Sequence, residues 1–140
     1  MEWVRDDGYW VTDDQRHLDL DRVHRWLSEE SYWAAGRSME VVARSLDASV
    51  IFGCFAADGT QAGVCRWVTD GVSFAWLCDV FVDVDRRGQG LGQFLVQSAM
   101  THPSVSGLGL LLLATRDAHH LYSRFGFAEV APGRFMELRR

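Results

Sequence analysis

Apolar residues in this chain recur first with a helical period, then with a strand period, and finally with both in alternation. Near the N-terminus, Tyr9 to Thr12 predicts a short edge strand, followed by a polar turn over residues 13–17. From Leu20 the period is helical: Leu20, Val23, His24 and Leu27 fall at i, i+3, i+4 and i+7, Asp19 is placed to cap the first turn, and Trp26 lies off the stripe. A second helix is predicted after Gly36, with Ser38 as its cap and Met39, Val42, Ala43 and Leu46 on one face. From Ser49 the period becomes that of strands. Val50 to Ala57 and Gln61 to Thr69, joined across Asp58-Gly59, predict a β-hairpin, and Asp70-Gly71 turns the chain into a long strand from Val72. Its later part, Phe74 to Val82, is apolar, aromatic and β-branched, as in a buried strand.

A helix is then predicted over Leu91 to Met100, with Pro103 marking its end, and an interior strand over Gly107 to Ala114. Asp117 is placed to cap a short helix bearing Ala118, Tyr122 and Phe125, with Gly126 as a left-handed stop. Phe127 restarts a strand, and Arg134 to Leu138 reads as a final one.

The join between the buried strand and the Leu91 helix holds the most specific chemistry. Gly88, Gly90 and Gly92 alternate where the helix must begin, behind Arg86 and Arg87. Without side chains there, a ligand can approach the main chain, and the first amides of a helix are unpaired and partially positive. Such a turn suits phosphates. A P-loop needs GxxxxGK, and the chain contains no lysine. A dinucleotide fingerprint would put its third glycine on Gln93 and an acidic residue about 20 positions on, where the strand ends at Leu113 and Ala114. Both fit poorly.

The remaining pattern, Arg87-Gly88-Gln89-Gly90-Leu91-Gly92, resembles the R/Q-x-x-G-x-G/A signature of the GNAT acetyltransferases. Downstream, Leu121-Tyr122-Ser123-Arg124-Phe125-Gly126-Phe127 resembles the LYxxxGF signature of the same family, in the right order and at the right separation. With SYWAxGR, LCDVFV and TRDAHxLY, the chain from about residue 22 is similar to one branch of small, stand-alone GNAT proteins. The resemblance implies an α/β (α+β) fold, with a mixed, mostly antiparallel sheet of about six or seven strands flanked by about four helices. It further implies a splay beside the strand ending at Val82, with acetyl-CoA in the cleft. The backbone of Val80, Phe81 and Val82 would pair with the pantetheine amides, as in strand addition. Arg87, Gly88, Gln89, Gly90, Leu91, Gly92 and Gln93 would hold the diphosphate. Tyr122 would lie near the sulfur, as the acid for the departing thiolate or as a packing residue of the pantetheine tunnel. An amide in the Val80 to Val82 region would serve the oxyanion.

Other residues stand out without the resemblance. Tyr32, Trp33 and Arg37 lie on the connector between the first two helices and form either one wall of a substrate pocket or a roof over the core. Trp26 and His24 read as core residues. Asp79 interrupts an apolar strand, so it must meet a cation or amide, or face the cleft. It is a candidate general base, with a structural bond to the sheet or to Arg116 as the alternative. His119 and His120 are further candidates for the base. Asp117 reads as a cap before a catalyst.

Length and composition agree with this reading. A chain of 140 residues, 48% hydrophobic and 12% aromatic, suits one domain over residues 1–140. The net charge of −5 argues against nucleic-acid or acidic-membrane partners and favours a cationic or neutral substrate. Cys54, Cys65 and Cys78 lack metal-ligand spacing, so reduced core thiols, a cytoplasmic location and no metal are expected. No secretory h-region follows Met1 and no apolar run spans a bilayer. The expected function is transfer of an acetyl group from acetyl-CoA to a primary amine of a small molecule or peptide, by direct attack in a ternary complex. The alternative is a non-catalytic acyl-CoA-binding sensor or interaction module; either would be a monomer or homodimer.

Overall fold

In the computed structural model, which describes residues 1–140, six strands lie side by side in their order along the chain. They are β1 (Glu2–Val4), β2 (Trp10–Thr12), β3 (Val50–Phe55), β4 (Gln61–Thr69), β5 (Ala75–Val82) and β6 (Leu111–Leu113). All neighbours are antiparallel except β5 and β6, which are parallel. A parallel pair needs a crossover, supplied by α3 (Leu91–Met100) and the short α4 (Pro103–Ser106). The mixed, mostly antiparallel α/β fold implied by the resemblance is the one observed.

The first two helices start where the sequence predicts. Asp19 accepts from the amide of Arg22 at the head of α1 (Leu20–Arg25), and Ser38 accepts from that of Val41 at the head of α2 (Met39–Asp47). A π-helical turn, Trp26–Glu30, continues α1. Trp26 is still α-wound, three residues after Val23 and beside Leu27, so it shares their buried face and stacks on Phe81 with ring centroids 5.4 Å apart. His24 bonds the Arg37 carbonyl through Nε2 at 3.0 Å.

Two hydrophobic clusters lie on opposite faces of the sheet, as the adjacent β3 residues Ile51 and Phe52 show by falling in different ones. Val23, Trp26, Leu27, Val42 and Leu46 pack with Ile51, Val64 and Phe81. On the other face Leu91, Leu95, Val96 and Ala99 of α3 pack with Phe52, Cys65, Trp67 and Leu77. Each fully buried side chain of this size contributes about 1.5–3 kcal/mol, so burial, more than helix propensity, holds these short helices in place.

The register of β4 against β5 slips between Val64 and Arg66, opposite Phe81 and Cys78, so β5 carries a bulge. Asp79 sits in it, the one non-glycine residue with positive φ, at 55°. Before the bulge Ala75 and Leu77 point to the α3 cluster; after it Phe81 points to the opposite one. β5 and β6 pair only over Ala75–Leu77 and Leu111–Leu113, and beyond this point β5 has a neighbour on one side alone.

Several expectations are corrected. β2 is not an edge strand, because the three-residue β1, too short to show a period, pairs outside it. β6 is shorter than Gly107 to Ala114, and Pro103 opens α4, where a proline at the first position forfeits no hydrogen bond. Asp117 does not cap α5 (His119–Ser123); the hydroxyl of Thr115 accepts from the amide of Ala118 at 3.0 Å instead. The strands expected at Phe127 and over Arg134 to Leu138 do not form. The alternation there finds no ladder partner: Pro132 and Gly133 turn the chain, Met136 and Leu138 are exposed, and Phe135 rests edge-on against Trp76. Cys54, Cys65 and Cys78 are free thiols, the first two buried. No helix is long and apolar enough to cross a membrane, and no group of His, Cys, Asp and Glu is arranged to hold a metal ion.

Candidate active site

Where β5 and β6 diverge, a cavity of about 710 Å³ opens between them. Its floor is β5 from Trp76 to Val82; its walls are the connector with Tyr32 and Trp33, the segment from Leu113 to Ala118, and α5 with Tyr122. At the Val82 end it is lined by Arg87 and Gly92, which flank the glycine turn.

Asp83 starts that turn by accepting from the amide of Asp85, and one 3-10 turn, Val84–Arg86, follows. Gly88 and Gly90 then take φ of 81° and 73°, a region that side chains disfavour. Gly92 is helical, and a Cβ there would lie 3.8 Å from the side chains of Leu121 and Val82, in ordinary contact. The backbone amides of residues 88 to 93 donate to no acceptor in the protein. They form a run of unpaired donors at the head of α3, which suits the oxygens of an anion.

The N-terminal hairpin braces this turn, which sequence reasoning missed. Arg5 Nη1 donates to the Gln89 carbonyl at 2.9 Å, and Arg86 Nη1 donates to the Tyr9 hydroxyl at 3.0 Å. Arg87 Nε donates to the Val82 carbonyl at 3.0 Å, and its guanidinium lies 5.2 Å from the centre of the Phe81 ring. Gln93 is bonded through Oε1 to Arg124, and the Leu91 side chain is buried in the core. Leu91 can offer a ligand only its main-chain amide, whereas exposed Gln93 keeps a free side-chain NH2 as well.

Asp79 lines the same cavity and is fully engaged. Its Oδ1 accepts from Trp33 Nε1 at 3.1 Å, while Oδ2 accepts from Arg37 Nη1 at 2.9 Å and Arg66 Nε at 2.7 Å. The positive φ at the bulge turns its side chain into this cluster. The structural partner is thus a pair of arginines and an indole, and not Arg116. Arg66 was missed, though it carries the same signal as Asp79: a lone charge in an apolar strand. Arg116 pairs with Tyr32 instead, its guanidinium 3.7 Å from the ring centre and its amide donating to the Tyr32 hydroxyl at 3.0 Å. Tyr32, Trp33 and Arg37 all line the cavity.

Tyr122 projects from α5, its ring edge-on to Phe127 with centroids 6.2 Å apart. It is 8% exposed. No buried side-chain polar atom lacks a partner, and the Tyr122 hydroxyl makes no bond within the protein, so that hydroxyl is accessible, and Tyr122 lines the cavity. Burial pushes its pKa well above the phenol range, and the nearby Cys65, Tyr32 and Asp117 act in the same direction. It therefore remains a neutral donor at any ordinary pH. None of the five histidines lines the cavity; His119 faces Glu129 on the outer side, so neither His119 nor His120 is placed to act as base.

Comparison with known proteins bears on this geometry. A profile described as an acetyltransferase (GNAT) domain matches residues 49–129. A candidate acetyltransferase of Gibberella zeae is 29% identical over 145 aligned positions, covering 89% of this chain and 80% of its own. The crystal structure of a candidate GNAT-family acetyltransferase from Xanthomonas campestris pv. campestris is 39% identical with a TM-score of 0.89, covering 94% of this chain and 93% of that one. A candidate acetyltransferase from Deinococcus radiodurans R1, 20% identical, shares the fold with a TM-score of 0.76 over 100% of this chain and 94% of its own. With a matched domain that takes in both the glycine turn and the Tyr122 motif, the chain belongs to the GNAT acetyltransferases.

Proposed function

We propose that this protein transfers an acetyl group from acetyl-CoA to a primary amine, by direct attack within a ternary complex. The observation that carries the reading is the order of parts along one cleft: it reaches the run of unpaired amides of residues 88 to 93 at Gly92, follows the one-sided edge of β5, and is lined by Tyr122, whose hydroxyl is unbonded.

The residues divide the work. The amides from Gly88 to Gln93 receive the diphosphate, with the turn held rigid from behind by Arg5 and Arg86. The free edge of β5 at Val80, Phe81 and Val82 receives the pantetheine amides as an added strand, and one of its N–H groups donates to the carbonyl oxygen as it gains charge. Arg87 already bonds the Val82 carbonyl and bounds that edge. As the C–N bond forms and the C–S bond breaks, Tyr122 donates its hydroxyl hydrogen to the departing thiolate. A phenol raised by burial is a weak acid, but a thiolate in the same desolvated cleft is also a stronger base, so the match between them is preserved. The neutral amine, on attack, loses one proton to water, and the Tyr122 phenolate takes a proton back from water, so the net reaction gives the amide and free CoA thiol. Asp79 already accepts from three donors, so its part is to hold Trp33, Arg37 and Arg66 in position at the acceptor end.

Gly92→Asp tests the cofactor site. Gly92 lines the cleft, is helical and has room for a Cβ, so the variant should fold while putting bulk and negative charge where CoA passes. Saturating acetyl-CoA should raise the Tm of the wild type by mass action and leave that of Gly92→Asp unmoved. An equal shift in both proteins, or a larger wild-type shift with NAD or ATP, would overturn the assignment.

A further inference from the structure

Resting on the acetyl-transfer reading above, we propose that the acceptor is a primary amine that also bears a carboxylate, an amino acid being the simplest case, and that Arg37 and Arg116 hold that carboxylate. The chain carries a net charge of −5, but its cleft has the opposite balance: five arginines and three carboxylates line it. Two of the arginines are accounted for elsewhere, Arg87 at the Val82 carbonyl and Arg139 beside Glu137. The other three, Arg37, Arg66 and Arg116, gather at the acceptor end.

Their pairing is incomplete. Arg37 and Arg66 converge on a single carboxylate, Asp79, so this buried cluster has one cation in excess. Arg66 is spent: it bonds Asp79 through Nε and the Ser49 hydroxyl through Nη1 at 3.0 Å, and its side chain is 12% exposed. Arg37 uses only Nη1, and its remaining N–H groups have no acceptor in the protein. Arg116 makes no ion pair and no side-chain hydrogen bond; the Tyr32 ring holds it flat. The two other carboxylates lining the cleft, Glu30 and Asp117, are exposed and pair with no arginine.

A guanidinium presents parallel N–H groups in a rigid fork that matches a carboxylate, and stacking on an aromatic ring fixes its plane beforehand. The aromatic surface beside Arg116, Tyr32 set edge-on to Trp33 at 5.0 Å, offers contact to the body of the substrate. Tethering the amine to an anchored carboxylate limits its motion beside the thioester. A polyamine or other polycationic acceptor would meet the excess positive charge and be repelled.

The test is calorimetry on the wild-type protein saturated with CoA, titrated with amino acids of small, aliphatic and aromatic side chain, each against its own carboxamide, and with glucosamine 6-phosphate against glucosamine. At least one amino acid should bind more tightly than its amide by about tenfold or more, as expected for a charge-assisted fork. In Arg116→Gln, whose side chain makes no bond in the fold, the ratio should fall toward one with the Tm retained. Equal binding of every acid and its amide, binding of none, or a preference shown by the phosphate pair alone would overturn the proposal. So would a ratio that persists in both Arg116→Gln and Arg37→Gln. Calorimetry needs no turnover, so failure to consume acetyl-CoA with any amine would count against acetyl transfer, and the carboxylate preference would be read separately.

Discussion

Replacing Tyr122 by Phe removes one oxygen that makes no hydrogen bond within the protein. The ring stays where it is, 8% exposed and packed against Phe127, so the fold loses no hydrogen bond and the Tm should hold within the range of a neutral substitution. Acetyl-CoA should still raise the Tm, because the amides of residues 88 to 93 are unaffected. The loss should appear in kcat. General acid assistance is typically worth about 10²- to 10⁴-fold, equivalent to about 3–5 kcal/mol at about 1.4 kcal/mol per tenfold. The pH profile adds a second constraint. Burial holds the phenol neutral well above its usual pKa of about 10, so the wild-type rate should show no fall from phenol ionisation at or below that pH. Both quantities come from one experiment, with free CoA measured by a thiol reagent in wild type and Tyr122→Phe from pH 6 to about 10. A loss smaller than about fivefold would show that the thiolate departs without this donor, and the placement of Tyr122 would then be a matter of packing alone.

Two further outcomes follow from the buried charges and thiols. Asp79→Asn leaves Arg37 and Arg66 without their shared counter-charge; breaking a buried pair costs about 3–5 kcal/mol at most, so the Tm should fall and KM for the amine should rise more than kcat falls. An unchanged Tm with a displaced acidic limb of the rate profile would instead make Asp79 the proton acceptor. Burial pushes the Cys54 thiol up to about 12, and Cys65 is raised by the same cause. Because the folded value lies above the unfolded one, this stability is fully present below the usual thiol range, about 8.5, and is lost as pH rises toward 12. Thermal melts should therefore decline steadily from about pH 9, and a flat Tm up to pH 11 would contradict the burial of these thiols.

The helices, the hairpin and the glycine turn were legible because each is specified locally, by a period, a cap or a turn dipeptide. Asp19 and Ser38 cap where the pattern says they should. Asp79 stood out as a charge in an apolar strand, but its partners depend on a bulge between β4 and β5, and no local pattern reports a register slip. Arg66 carried the same signal and went unread for want of a partner. The C-terminal alternation around Phe135 looked like a strand because alternation alone does not supply a neighbouring edge. Net charge is informative in a different way. It sums over the whole surface, while the cleft is lined by five arginines and three carboxylates.

The most direct measurement is mass spectrometry of a broad amine panel incubated with acetyl-CoA and the wild-type protein, with free CoA followed in the same tubes. The account predicts that at least one amine gains a single acetyl group, in one-to-one proportion with released CoA, and that Gly92→Asp abolishes both signals together. Tight binding of acetyl-CoA with no acetylated amine across the panel, or CoA release without acetylation, would contradict it.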